Sequence, residues 1–245
     1  MGARLSCSVR DRNRAWRRAG RAYRGRPILG GCVRLDVDNL ACRRSGRRIF
    51  SGLTFSLAPG GALAVTGRNG AGKSSLLAIL TGRLRPDAGR ITVADVGEAT
   101  LPECLHAVGH RDGLKSALTA GENLAFARSL LGAPRLSPRE ALDRLGLSHA
   151  HDLPVAYLSA GQRRRVALAR LLVCARPLWL LDEPTAALDT ASQEVLAALM
   201  AEHRAGGGLV IAATHQALGL ADAMELRITP ATAPAPAPDD LEDWT

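Results

Sequence analysis

Lysine and long apolar runs are both scarce in this sequence. Only two of the 32 Lys and Arg residues are lysine, Lys73 and Lys115, so a site that needs a flexible primary ammonium has two candidates. The most apolar stretches, such as residues 178–181, fall far short of the roughly 20 apolar residues that a membrane-spanning helix needs. If the protein works at a membrane, we therefore expect another chain to supply the spanning segments.

Cysteine is also sparse and irregularly placed. The five cysteines are odd in number and none of them belongs to a CxxC pair, which argues against a disulfide framework and against a structural zinc site. This usage is typical of a reducing cytoplasm. With 245 residues, 47% hydrophobic and 22% charged, the chain has the composition of a folded protein of one large or two small domains.

The positive charge is concentrated at one end of the chain. The formal net charge is +9, but residues 1–26 hold nine arginines against a single acid, Asp11, a net of +8. Residues 230–245 hold four acids and no base, so only +5 is left for residues 27–229. Because the body of the chain is only mildly basic, its charge does not indicate a nucleic-acid partner.

These changes in composition divide the chain into three parts. Residues 1–30 are predicted to be an Arg-rich disordered extension. A basic contact with RNA or anionic lipid, a mitochondrial-type targeting segment and a start assigned too far upstream are alternatives. Residues 230–245, rich in Pro and Ala and then acidic, are predicted to form a disordered tail. Residues 31–229 are predicted to form the folded domain.

Within the folded domain, strand-like and helix-like segments alternate. Alternating or wholly apolar patterns predict strands, whereas apolar residues at helical spacing predict helices. All-apolar strands that alternate with helices indicate an α/β fold with a mainly parallel sheet covered on both faces. The predicted strands are 33–37, 49–57, 61–66, 178–181 and 209–213, and the predicted helices are 74–80, 166–173 and 192–200.

A glycine-rich loop follows the strand predicted at 61–66. Residues 67–74 match the GxxxxGK[ST] pattern, in which backbone N–H groups and the N-terminus of the next helix bind phosphate oxygens. In this chemistry Lys73 contacts the β- and γ-phosphates and the Ser74 hydroxyl binds Mg²⁺. The predicted ATP-binding residues of this loop are Gly67, Arg68, Asn69, Gly70, Ala71, Gly72, Lys73, Ser74 and Ser75.

Two adjacent acids end the strand predicted at 178–181. Ligands bind at the carboxyl ends of parallel strands, and neighbouring side chains of a strand point in opposite directions, so the two acids can serve different tasks. Asp182 is predicted to bind Mg²⁺ together with Ser74. Glu183 is predicted to be the catalytic residue that polarises the water attacking the γ-phosphate.

Further motifs resemble those of ABC-type ATPases. Residues 158–162, Leu-Ser-Ala-Gly-Gln, resemble the LSGGQ signature of that family. Residues 183–189 resemble the segment that leads to the D-loop, and Thr214-His215 resembles the switch histidine. The resemblance covers about residues 31–229, with every motif in order. It implies a P-loop NTPase of ABC type with a mainly parallel core, an antiparallel β subdomain and a helical insertion at about residues 112–172.

The resemblance also implies roles for residues outside the glycine-rich loop. In the family, two such domains form a head-to-tail homodimer around two ATP molecules. This implies that Ser159, Gly161 and Gln162 of one copy contact the nucleotide held by the other, and Asp189 is implied to bind nucleotide as well. His215 is implied to be a catalytic residue that hydrogen-bonds the γ-phosphate.

At two positions the sequence departs from the common family pattern. His110 stands where most relatives have Gln, and either His110 or the following Arg111 is expected to fill that role. Many relatives stack an aromatic residue on adenine, but the corresponding region here is rich in arginine. A guanidinium can also stack on a base, so Arg43 or Arg44 is a candidate adenine contact.

A narrower resemblance concerns residues 108–115 and 118–124, which are similar to the heme-exporter ATP-binding subunits of the cytochrome c maturation system. It implies a heme-transporting type of ATPase, docked on an integral membrane permease subunit at the cytoplasmic side of the cell inner membrane, with no nucleic-acid partner. An ABC ATPase subunit for another transported substrate is one alternative. A soluble ABC-type protein that acts on ribosomes or DNA is the other.

Overall fold

A computed structural model of the chain describes residues 33–96, 99–215, 218–220 and 222–229. The predicted extension at 1–30 and the predicted tail at 230–245 lie outside these residues. Among the helices of the described ranges, none combines the length and the apolar character that a membrane span requires.

The strands of the described residues form a parallel and an antiparallel sheet. They are β1 (Arg34–Arg44), β2 (Arg47–Leu57), β3 (Ala62–Thr66), β4 (Ala88–Ala94), β5 (Leu105–Val108), β6 (Leu178–Asp182), β7 (Leu209–Ala213) and β8 (Met224–Arg227). The central sheet has the order β5-β6-β7-β3-β8, and all its neighbouring strands are parallel. The second sheet, β2-β1-β4, is antiparallel.

Helices cover the central sheet. In the described ranges they are α1 (Lys73–Leu80), α2 (Leu101–Cys104), α3 (Ala120–Leu131), α4 (Pro138–Asp143), α5 (Ala160–Val173) and α6 (Thr190–Ala205). Helices α3, α4 and α5 each begin with a capping box. The hydroxyl of the cap residue accepts from the backbone N–H three positions later, and the side chain at that later position accepts from the backbone N–H of the cap residue. These pairs are Thr119 with Glu122, Ser137 with Glu140, and Ser159 with Gln162.

Alternate side chains of the central strands enter two separate apolar cores. Leu178 and Leu180 of β6 lie in the core shared with the antiparallel sheet and α1. Trp179 and Leu181 lie in the core shared with α3, α5 and α6. This alternation follows from the period of two in a strand, and it explains why a strand covered on both faces has no polar positions.

The predicted fold class is confirmed by these elements, since a mainly parallel core, an antiparallel sheet and a layer of helices are all present. Helices α3 and α4 lie within residues 112–172, and α5 ends one residue beyond them. The division of the chain into an extension, a folded domain with its helical insertion, and a tail stays a prediction.

A stacked pair of rings is buried beside β6. The rings of Trp179 and His203 lie 3.9 Å apart between centroids, with their planes 8° apart, and Nε2 of His203 lies 3.0 Å from the Pro177 carbonyl oxygen. A Cβ on Gly208 would come within 2.3 Å of Nε2, so the ring requires glycine there. Burial lowers the pKa of His203 to about 4.

His106 on β5 is the register partner of Trp179 and is only 3% exposed. Neither of its ring nitrogens has a hydrogen-bond partner within the described part of the chain. Burial, reinforced by the nearby positive charge of Arg170, lowers the pKa of His106 to about 3. Both histidines are therefore neutral in the folded protein at neutral pH, and charging either one requires water to reach it.

We expect the folded state to lose stability as the pH falls below about 6.5, the ordinary histidine value. Both folded-state pKa values are depressed, so below that pH the unfolded chain binds more protons and its free energy falls relative to that of the folded state. At about pH 5 the loss is on the order of 2 kcal/mol for each histidine. Urea unfolding at neutral pH and at about pH 5 measures it.

The variant His203→Phe is the matched control for this effect. Phenylalanine keeps an aromatic ring stacked on Trp179 but has no nitrogen that titrates. The stability of the variant should therefore depend less steeply on pH than that of the unaltered protein. An equal slope in both proteins would contradict the assignment of the effect to His203.

Candidate active site

Four neighbouring strands end at one edge of the central sheet. Because β5, β6, β7 and β3 are parallel, their carboxyl ends meet there, which is where ligands bind in open α/β sheets. The glycine-rich loop follows β3, His110 follows β5, and Glu183 follows β6. His215 follows β7. The sheet thus collects residues from distant parts of the sequence.

The glycine-rich loop turns at positions that require glycine. Gly67 has φ 137° and Gly72 has φ 113°, both in the left-handed region that disfavours side chains. A Cβ on Gly67 would lie 2.5 Å from the carbonyl oxygen of Ile228, and one on Gly72 would lie 2.4 Å from Cγ2 of Ile49. The loop is therefore packed directly against β2 and against the segment that follows β8.

Lys73 begins α1 and directs its ammonium back into the loop. Its Nζ donates to the carbonyl oxygen of Gly67 at 2.8 Å and to that of Arg68 at 3.5 Å. The side chain is buried, so the ammonium is partly desolvated and oriented before any ligand arrives. A phosphate oxygen at this position would form a charge-assisted hydrogen bond with it.

Ser74 and the two acids complete the polar centre of the site. The hydroxyl of Ser74 lies 3.4 Å from Oδ2 of Asp182, at the end of β6. Glu183 follows with φ 46°, a conformation that is uncommon for a residue with a side chain, and its N–H donates to the Ala213 carbonyl oxygen at 2.8 Å. Such conformations persist at sites where the surrounding structure holds them.

His215 contacts two of the other functional segments, the glycine-rich loop and Glu183, through one ring nitrogen. Its Nε2 lies 2.7 Å from Oδ1 of Asn69, 3.1 Å from Nζ of Lys73 and 3.3 Å from Oε1 of Glu183. A protonated Nε2 donates to Asn69 or Glu183, whereas an unprotonated Nε2 accepts from Lys73. The histidine therefore has alternative partners in the same site.

These residues line one pocket of about 550 Å³, a volume in the range of small-molecule sites. Arg44 reaches it from the end of β1, and His110 reaches it from the end of β5, whereas their neighbours Arg43 and Arg111 do not line it. The lining residues are Arg44, Ile49, Asn69, Gly70, Gly72, Lys73, Ser74, Ser75, His110, Asp182, Glu183 and His215.

Of the predicted loop residues, Gly67, Arg68 and Ala71 shape the loop from behind the pocket. Gly67 and Arg68 present carbonyl oxygens to Lys73, and the N–H of Ala71 donates to the Arg68 carbonyl oxygen at 3.1 Å. Ala71 is itself buried. Their part in nucleotide binding stays a prediction, as do the roles of the residues that line the pocket.

The predicted signature residues do not line this pocket. Ser159 caps α5, where its hydroxyl accepts from the N–H of Gln162 at 3.1 Å, and Gly161 lies in the first turn of the helix. Asp189 caps α6 and accepts from the N–H of Ser192 at 2.8 Å. The hydrogen bonds from Ser192 hold the pKa of the Asp189 carboxyl below its usual range.

Arg164 had no predicted role, yet the structure joins it to the site. It is buried in α5 and donates to the backbone carbonyls of both Asp182 and Glu183. The sequence contains a signal for its burial, since Leu168 and Leu171 lie four and seven residues further on and share its helix face. A charged residue on the apolar face of a helix requires buried partners.

The donor set fits ATP and a divalent cation. Lysine and loop N–H groups suit phosphate, and the hydroxyl of Ser74 with the carboxylate of Asp182 are oxygen ligands of the kind that Mg²⁺ prefers. The fold and this site together define a nucleotide-binding domain of the ABC ATPase class.

Comparisons with known proteins agree with this class. The family model described as "ABC transporter" matches residues 50–186, more than half of the chain. A cytochrome c biogenesis ATP-binding export protein CcmA of Bradyrhizobium diazoefficiens is 54% identical over 198 residues, 80% of this chain and 98% of that protein. A CcmA of Rhodopseudomonas palustris is 56% identical over 79% of this chain and 97% of its own length. The chain belongs to the CcmA family of ABC transporter ATP-binding proteins.

Solved structures show the same fold. The ATP binding subunit of an ABC transporter is 26% identical and has a TM-score of 0.66, covering 74% of this chain and 79% of its own. A bacterial Atm1-family ABC exporter with ATP bound is 29% identical and has a TM-score of 0.68. That match covers 80% of this chain and 37% of the exporter chain.

We expect Gly72→Ala to destabilise the protein more than Gly70→Ala. Both residues have positive φ, so both substitutions carry a backbone cost of about 1–2 kcal/mol. Only the new methyl group at Gly72 meets other atoms, those of Ile49 and Phe50, whereas the space beside Gly70 is open. The clash should add about 1–3 kcal/mol to the loss in the free energy of unfolding. Urea unfolding of both variants measures this difference, and equal losses would contradict it.

Proposed function

We propose that this protein is the ATP-hydrolysing subunit of an ABC transporter complex in c-type cytochrome biogenesis, within a heme export or delivery system. The observation that carries the proposal is the pocket in which Lys73, Asp182, Glu183 and His215 meet, in a chain more than half identical to CcmA proteins along most of its length. ATP hydrolysis at this pocket is coupled to conformational change in membrane partner subunits.

The phosphate-binding part of the proposal rests on the loop and Lys73. The loop N–H groups and the N-terminus of α1 bind the phosphate oxygens, and the ammonium of Lys73 leaves its carbonyl partners to contact the β- and γ-phosphates. Ser74 and Asp182 would hold Mg²⁺, which neutralises charge on the phosphates when it is bound. Arg44 stacks on the base and His110 contacts the γ-phosphate side of the pocket.

Hydrolysis itself requires a residue that orients water. Glu183 is the carboxylate that we assign to this task, because it follows the apolar strand β6 and lies 3.3 Å from Nε2 of His215. His215 donates to the γ-phosphate when its nitrogen carries a proton, and it exchanges Lys73 and Asn69 for that partner. Both side chains therefore act at the γ-phosphoryl group, Glu183 on the attacking water and His215 on a phosphate oxygen.

The active unit that we propose is a homodimer. Ser159, Gly161 and Gln162 lie at the N-terminus of α5 and outside the pocket of their own chain. A helix N-terminus favours an anion, so these residues bind the γ-phosphate carried by a second copy when the two chains face each other head to tail. ATP closes this pair, and its hydrolysis allows the pair to open.

The membrane partner in the proposal is a permease that docks on the helical layer, at the cytoplasmic side of the inner membrane. Phe126 and Leu130 lie one turn apart on α3 and are 50% and 71% exposed. Leu153 and Tyr157 are also exposed, and the carbonyl oxygen of Leu153 accepts from the N–H of Ala120 at the start of α3. Exposed apolar groups of this kind mark interaction sites.

The same surface is connected to the site through the segment at residues 109–124. Lys115 in this segment lies with Nζ 4.7 Å from the centroid of the Phe126 ring. His110, near its beginning, lines the pocket. We therefore assign residues 109–124 to the surface that couples the permease to the nucleotide.

We expect Glu183→Gln to abolish ATP turnover while ATP binding is retained. The amide keeps the size of the side chain and one oxygen that accepts hydrogen bonds, but it cannot accept a proton from water. Turnover should fall by at least about 100-fold, the usual contribution of such a group, and the ATP-bound dimer should accumulate. Steady-state hydrolysis and size-exclusion chromatography with ATP are the measurements.

The exposed residue Glu194 on α6 supplies the control, since Glu194→Gln makes the same chemical change outside the pocket. In cells from which the gene is deleted, the unaltered protein and Glu194→Gln should restore heme attachment to c-type cytochromes, and Glu183→Gln should not. Normal heme attachment in the deletion strain would refute the biological role, and sustained hydrolysis by Glu183→Gln would remove Glu183 as the catalytic base.

We expect the paired change Phe126→Ser and Leu130→Ser to reduce attachment to membranes that contain the permease. Truncating an apolar side chain that contributes to a docking surface costs about 1 kcal/mol or more of binding free energy. Neither substitution alters the nucleotide pocket. The measurement is the fraction of the protein that sediments with such membranes. Val195→Ser on α6, also a partly exposed apolar residue, should sediment as the unaltered protein does. Equal sedimentation of all three proteins would contradict the assignment.

A further inference from the structure

Arg164 is a buried arginine whose hydrogen-bonding capacity is fully used. It lies in the second turn of α5, is 3% exposed, and is surrounded by oxygen atoms of two other chain segments. A guanidinium has five N–H groups, and the structure provides five acceptors for them. An arginine with this many fixed partners holds those partners in one arrangement.

One set of partners is the turn that carries the predicted catalytic base. Nη2 of Arg164 donates to the carbonyl oxygen of Glu183 at 2.7 Å and to that of Asp182 at 2.9 Å. Nε lies 3.4 Å from the carbonyl oxygen of Pro184. Three consecutive peptide groups at the end of β6 are therefore held from one side by this side chain.

The other set of partners is the segment that follows β5. Nη1 of Arg164 donates to the carbonyl oxygen of Gly109 at 2.8 Å and to Oδ1 of Asp112 at 3.2 Å. These residues flank His110, which lines the nucleotide pocket. A second arginine of α5, Arg170, donates to the carbonyl oxygen of Asp112 at 3.1 Å. Helix α5 thus holds this segment at two points.

The conformation of Glu183 needs such support. Its φ of 46° is costly for a residue with a side chain and persists only where the surroundings determine it. On one side the N–H of Glu183 donates to Ala213 of β7, and on the other side its carbonyl oxygen accepts from Arg164. The strand β7 fixes the first contact, so the second is the one that a movement of α5 can change.

We infer that Arg164 is a positioning residue that makes hydrolysis depend on the location of α5. The N-terminus of that helix carries Ser159 and Gly161, so any force on the signature segment is transmitted to the guanidinium and from it to the peptide of Glu183 and to the His110 segment. Arg164 itself does not line the nucleotide pocket, so it acts through Glu183 rather than on the substrate. The inference rests on the proposed function because it takes Glu183 as the catalytic base.

The variant Arg164→Lys tests the inference in the full-length chain. Lysine keeps the positive charge but has three donors instead of five and no planar fork, so it cannot hold both segments. We expect kcat for ATP hydrolysis to fall at least about tenfold, while the dissociation constant for ATP measured in the Glu183→Gln background changes by less than about threefold. If Arg164 only stabilised the fold, the substitution would lower kcat and ATP affinity together, or would lower neither after correction for the folded fraction.

Two further variants keep the test decisive if Arg164→Lys does not fold. Asp112→Asn removes the negative charge that pairs with Arg164, at a side chain that is itself 27% exposed, and should lower kcat about threefold or more with ATP affinity retained. Arg165→Gln is the matched control, because Arg165 is the next residue of α5 and donates to the carbonyl oxygen of Leu145 instead. Its kcat should equal that of the unaltered protein within about twofold.

The outcomes separate this inference from the proposed function. If Glu183→Gln abolishes turnover but Arg164→Lys and Asp112→Asn leave kcat unchanged, the positioning role is refuted and the proposed function stands. If Arg165→Gln lowers kcat as much as Arg164→Lys does, the effect belongs to α5 in general and the role of Arg164 is likewise refuted. If Glu183→Gln still hydrolyses ATP, the failure lies in the proposed function.

Discussion

The parallel pairing of β3, β5, β6 and β7 is the constraint on which the rest of the structure depends. β6 can lie inside the sheet only because its residues are apolar on both faces, and β7 is buried along its whole length for the same reason. Since these strands run in one direction, their carboxyl ends share one edge. That edge brings Lys73 within 3.1 Å of His215, although 142 positions separate the two residues.

Burial of the central sheet on both faces also removes polar side chains from water, and Arg164 and His106 differ in how this desolvation is compensated. Polar groups are enclosed along with the apolar side chains, and each needs partners to replace water. Arg164 has them, because its guanidinium is surrounded by backbone carbonyls at the end of β6 and by the segment after β5. Within the described residues His106 has none, and it is held neutral instead, with its pKa lowered to about 3 by burial. The first arrangement connects the helical layer to the site, whereas the second only makes the fold sensitive to acid.

The sequence predicted most clearly the elements with strong periodicity or continuous apolar character, such as β6, β7 and α1. Strand β1 extends to Arg44, well beyond the predicted end at Val37, because register shifts after Val37 break the alternation of apolar and polar residues. Strands β4 and β5 were not predicted. The residues of β4 are exposed or half-buried, so they show no apolar face, and β5 is only four residues long. Whether Arg43 or Arg44 lines the pocket depends on which side of a strand each side chain occupies, and a one-residue shift in register reverses the answer.

By itself the sequence determined the class of chemistry, because the spacing of Gly67, Gly72 and Lys73 and the acids after an apolar strand can be recognised without coordinates. It also predicted that the charge at residues 1–26 lies outside the folded domain. Only the tertiary structure decided that Arg164 contacts both the Glu183 turn and the segment around His110, and that Arg44 and His110 line the pocket. The physical reason is that such contacts join residues far apart in the chain, and their geometry is set by strand order and by the packing of α5 on the sheet rather than by local pattern.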